Sequence, residues 1–106
     1  MTPKLHAMWA AIIAAEHPRL TPEYIDAVAD ESSLTVTKIG IKTTVVQVVL
    51  PNGFAITEHS SCVDPKNYDE ALGIKYAMER VKTKIWELEG YRLQAELFGT
   101  DFMNHG

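Results

Sequence analysis

The chain has 106 residues, 46% of them apolar and 23% charged, with 10 basic against 14 acidic side chains and a net charge of -4. These values fit one globular domain that buries about 65% of its unfolded surface, without the basic footprint a generic nucleic-acid binder needs. One cysteine excludes an internal disulfide framework, and no apolar run approaches the roughly 20 residues of a membrane span, so a reducing cytosol suits the chain.

Residues 1–30 read as a helical segment. Thr2 is placed to cap a first helix running to His17, with Pro3 at the position where a missing N–H costs nothing. Leu5, Met8, Trp9, Ile12 and Ile13 recur on one helical face. The run from Met8 to Ala15 is too quickly followed by Glu16 and His17 to be a secretory signal. Pro18 ends this helix, and Thr21, Pro22 and Glu23 start a second, whose buried stripe is Ile25, Val28 and Ala29.

Residues 32–60 change period. Leu34 to Thr37 alternates, and Thr43 to Leu50 is rich in β-branched residues that fit a pleated surface. Pro51-Asn52-Gly53 has turn chemistry, so Thr43–Leu50 and Phe54–His59 are predicted to form an antiparallel hairpin, with the first strand completing a meander. Asp64-Pro65 starts a long helix over residues 65–98, with a seam of Ala71, Ile74, Met78, Val81, Ile85 and Leu88. Gly90, costing about 1 kcal/mol against Ala, predicts a kink near 87–90. Gly99 ends the helix and 99–106 is predicted to be a loose tail.

The expected fold is therefore α+β, a single domain over 1–106. A short antiparallel meander of three strands is packed by the long C-terminal helix and the short N-terminal helical pair. The first helix is expected to share the cover of the sheet. Val45, Val46, Val48 and Val49 place apolar side chains on both sheet faces, which predicts a second covering layer or a second subunit, hence a homodimer.

Nucleophilic chemistry has one local candidate, Cys62 with His59 as its base. Residues three apart at a strand end guarantee neither the hydrogen bond nor an orienting third group, so the chain is not expected to be an enzyme and no catalytic residue is assigned. His6, His17, His59 and His105 are scattered, and no metal site or cofactor is expected. Asp69, Glu70, Glu87, Glu89 and Glu96 read as the wet face of a helix. Lys75, Arg80, Lys82 and Lys84 concentrate positive charge in an acidic chain, with Phe54, Tyr68 and Tyr76 as aromatic neighbours. Basic and aromatic groups together suit a small anionic ligand carrying a base, while ordinary surface lysines beside core aromatics are the plainer reading.

The run Leu50-Pro51-Asn52-Gly53-Phe54, then Glu58-His59-Ser60-Ser61-Cys62, Pro65-Lys66-Asn67-Tyr68-Asp69, Gly73-Ile74-Lys75 and Lys84-Ile85-Trp86-Glu87-Leu88-Glu89-Gly90-Tyr91 resembles small tailed-phage proteins. Over about residues 20 to 98 the order of these motifs resembles the phage gp-forty-nine/gene-sixty-six family. Glu87 stands at that family's proline, Ile74 at a basic position and Arg80 at an asparagine. The resemblance implies accessory phage work. First-type Thoeris anti-defence proteins are similar to this family, which implies sequestration of a cyclic nucleotide-type immune signal, without degradation, in pockets between subunits in the host cytoplasm.

The ligand-binding set expected on that basis is Phe54, Asn67, Tyr68, Lys75, Arg80 and Lys84. Asn67 would read a purine edge, Phe54 or Tyr68 would stack on the base, and the cations would hold phosphates. Asn67 as a helix cap and Phe54 as a core residue stand as the plainer alternatives. The runner-up function is masking of a host defence protein or host enzyme, in the manner of an anti-CRISPR, through the acidic surface.

Overall fold

The computed structural model describes residues 2–104. Their order is α1 (Pro3–Ala14), α2 (Pro22–Asp30), β1 (Ser33–Ile39), β2 (Thr43–Val49), β3 (Ala55–Ser61), a single 3-10 turn (Pro65–Asn67) and α3 (Glu70–Asn104). The fold is α+β. Both short helices start as their caps dictate: Thr2 accepts the Leu5 N–H at 3.3 Å, and Thr21 accepts the Tyr24 N–H at 3.2 Å. Each cap satisfies one of the donors that a helix start leaves orphaned.

The sheet is an antiparallel meander in the order β1-β2-β3. Leu50 to Gly53 makes the β2–β3 turn, closed by a 2.8 Å bond from the Gly53 N–H to the Leu50 carbonyl. Asn52 Oδ1 accepts the Phe54 N–H at 3.0 Å, and Gly53 takes φ +94°, a region that glycine enters without strain. Cross-strand register places Leu34, Val48 and Ile56 in one row, Val36, Val46 and Glu58 in the next, and Lys38, Thr44 and Ser60 in a third. These rows share the face beneath α3, where Thr44, Val46, Val48 and Ile56 are buried.

α3 lies over β2 and β3 and meets them with Ala77, Val81 and Ile85, all fully buried. The helix leaves β1 mostly uncovered, with only Val36 half-buried against the core, so Leu34 is 49% exposed. The predicted seam is correct only in its middle. Ala71 is exposed and Leu88 is 38% exposed, because the sheet is shorter than the helix that crosses it.

Four other expectations need correction. α1 packs chiefly on α2, which in turn packs on α3, so the first helix does not share the cover of the sheet. The opposite sheet face does carry Val45 and Val49, as expected, here among Thr35, Thr37, Gln47 and Thr57. Asp64 caps only the 3-10 turn (2.9 Å to the Lys66 N–H), while Asp69 caps α3 itself (3.2 Å to the Leu72 N–H). Helical geometry runs unbroken through Gly90, whose side faces Leu20, and the break falls at Gly99 instead, at φ +46° and ψ -131°. Helix resumes to Asn104, where a loose tail was expected; residues 105 and 106 of that tail lie outside the described residues.

Candidate functional site

The six expected ligand residues fall in three places. Asn67 and Tyr68 line a cavity of about 140 Å³ where the end of β3, the 3-10 turn and the start of α3 converge. Lys42, Ser60, Ser61, Asp69 and Tyr76 are among the other residues of its wall. Tyr68 is fixed there by its hydroxyl, which shares a 2.9 Å hydrogen bond with the Thr44 hydroxyl, and by Lys38, whose Nζ lies 4.3 Å from the ring centre. Asn67 is exposed and does not cap α3, which leaves its amide for other partners.

Phe54 and Lys84 line a second, open groove of about 320 Å³ with Thr57, Glu87 and Leu88. Phe54 is 52% exposed, so it is no core residue. Lys84 pairs with Glu58 at 3.1 Å, and Arg80 donates to the His59 carbonyl, so both cations lie down over β3. Lys75 is apart from both. It stands nine residues before Lys84, which on a helix turning about 100° per residue is the opposite side. The two cavities sit at opposite ends of β3, about 20 Å apart at the rise of an extended strand. Within one chain, therefore, the six residues do not converge.

Cys62 is held as a donor. Its thiol reaches the Asp64 carbonyl at 3.2 Å, while His59 pairs with Val45 across the sheet on the outer face. Among the described residues no three His, Cys, Asp or Glu side chains gather as for a metal ion.

A polar cluster at the other end of the molecule was not foreseen. Arg92 lies over Trp9, its guanidinium carbon 3.7 Å from the ring centre, and its Nη1 donates to the Tyr24 hydroxyl at 3.3 Å and to Glu89 at 3.2 Å. Glu89 was expected on a wet face, yet its side chain is 13% exposed. Trp9 and Tyr24 pack with ring centres 5.7 Å apart. Glu89 and Arg92 are i,i+3 neighbours on α3, but only the pairing of α1 and α2 against its far half brings Trp9 and Tyr24 to them, so local sequence held no signal for the cluster.

Burial, and then the Glu89 carboxylate, push the Tyr24 hydroxyl up from 10 to about 12, with Arg92 opposing. An unfolded chain ionises Tyr24 from about pH 10, whereas the folded chain holds the proton to about pH 12, so stability is complete below the first value and falls as pH rises through that window. Melting temperatures between pH 9 and pH 12 should therefore drop more steeply for the parent than for Tyr24→Phe, by up to about 2 kcal/mol in stability. Parallel curves would show that Tyr24 ionises equally in both states.

A sequence model of the family described as Phage protein (N4 Gp49/phage Sf6 gene 66) matches residues 20–97. No curated protein and no solved structure matches.

Proposed function

The chain belongs to the phage protein (N4 Gp49/phage Sf6 gene 66) family, and from that premise we propose that it is an anti-defence protein acting in the host cytoplasm. In this reading it binds a cyclic nucleotide-type immune signal and sequesters it without breaking a bond. The observation that supports the reading best is the cavity lined by Asn67, Tyr68, Lys42, Ser60 and Ser61. Its amide offers a donor and an acceptor to a base edge, its hydroxyls suit a ribose, and Lys42 and Lys38 supply charge for a phosphate.

Self-association is part of the proposal. The Phe54–Lys84 groove and the Asn67–Tyr68 cavity are separate on one chain, and pairing two copies is the arrangement in which both serve one ligand. Masking of a host protein is the second reading. It is favoured by Leu88, Tyr91, Ala95 and Phe98, a stripe at spacings of three and four on the far half of α3 whose Tyr91 and Phe98 are exposed.

Native mass spectrometry against a panel of cyclic nucleotides tests the first reading. One member should bind stoichiometrically, and Asn67→Ala and Lys84→Ala should each weaken it about tenfold, the effect of losing one or two hydrogen bonds. Folded variants that keep full affinity would defeat this placement. Silence across the panel, with a stoichiometric host protein recovered from lysate, would favour masking.

A further inference from the structure

At the junction of α1, α2, the β2–β3 turn and α3 there is a cavity of about 230 Å³, lined by Leu5, Val28, Leu50, Pro51, Asn52, Glu89 and Arg92. We infer that it binds a small organic monocarboxylate, with the apolar body against Leu50 and Pro51 and the carboxylate on Arg92 and Asn52. The volume suits the class. An apolar cavity of about 150 Å³ accommodates benzene, so this one has room for a ring or a branched chain together with a carboxylate.

The donors are built in advance. Arg92 is held against Trp9 at 3.7 Å and anchored through Nη1 to Tyr24 and Glu89. Those bonds use one nitrogen of the guanidinium. Among the described residues no partner takes the hydrogens of Nε and Nη2, the pair that forms a planar fork of the right shape for a carboxylate. An arginine already fixed by stacking loses little freedom when it binds. Asn52 is also oriented: its Oδ1 accepts the Phe54 N–H at 3.0 Å, which leaves its amide NH2 as a donor.

Glu89 sets the charge limit. Its carboxylate shares the cavity wall and already faces Arg92, so the site is close to neutral overall. One negative charge with an apolar body is tolerated there, whereas a phosphate dianion meets Glu89 with too little positive charge in return. This separates the site from the Asn67–Tyr68 cavity both in place and in ligand class. Leu5 and the supporting Trp9 also lie before residue 20, outside the stretch that the family model matches.

The test titrates the whole chain with benzoate, benzamide and inorganic phosphate, followed by amide chemical shifts. Benzoate should saturate with a Kd of about 1 mM or tighter, within reach of a fragment of its size. Its shifts should centre on Leu50, Asn52 and Arg92, and benzamide and phosphate should bind at least about tenfold more weakly. Asn52→Asp keeps the acceptor for the Phe54 N–H but replaces the amide donor by a carboxylate, so the turn is retained while benzoate affinity falls about tenfold or more. Arg92→Lys keeps the charge and loses the fork, and should cost a similar factor. The inference is overturned if benzoate fails to saturate, if its shifts map elsewhere, or if Asn52→Asp, folded, binds it as well as the parent does.

Discussion

Ile85→Ala is expected to lower the free energy of unfolding by about 3 to 4 kcal/mol and the melting temperature by roughly 15 °C. Ile85 is fully buried on α3, in the core that also holds Ala77, Val81, Val46 and Val48. Truncation removes the transfer free energy of three carbons and leaves a void that the neighbours fill only in part, since both a helix and a sheet are too stiff to close over it. A domain of this size has about 5 to 15 kcal/mol in total, so this one side chain accounts for a large share. Urea unfolding of the variant checks the number. A loss below about 1 kcal/mol would mean that α3 settles onto the sheet when the side chain is cut.

Gly73→Ala should destabilise by about 2 to 3 kcal/mol, although alanine in a helix interior is ordinarily better than glycine by about 1 kcal/mol. A Cβ at this position would clash with Thr44 Oγ1 and lie 2.8 Å from Thr44 Cβ. Thr44 cannot swing away, because it is buried in the middle strand and shares a hydrogen bond with Tyr68. The helix must lift from the sheet, and the Asn67–Tyr68 cavity, which Gly73 also lines, must change with it. Thr44→Ala removes the closer clash but keeps its own Cβ, so the double variant should recover part of the loss. A coupling of at least about 1 kcal/mol in that cycle identifies the contact, and simple additivity would refute it.

Gly73 also shows how a sequence signal can be right in position and silent on cause. It stood in the motif Gly73-Ile74-Lys75, but only the structure shows that α3 crosses Thr44 too closely for any side chain there. The same holds for Asn67. Its place beside Asp64-Pro65 suggested a cap, yet Asp64 and Asp69 take both capping roles and leave the Asn67 amide at a cavity wall.

What the sequence determined by itself was the list of elements, their order and the α+β class. Caps at Thr2 and Thr21, the Pro51-Asn52-Gly53 turn and the β-branched run of β2 act within a few residues, so their physics is complete in a short window. Tertiary structure alone decided which charged side chains meet. Lys84 on α3 meets Glu58 on β3, the limited extent of the sheet exposes Leu88 and Leu34, and the docking of α1 and α2 sets Trp9 beneath Arg92. Cavities are made by elements far apart in the chain, and periodicity, being a property of one element, carries no information about the face a distant element presents to it.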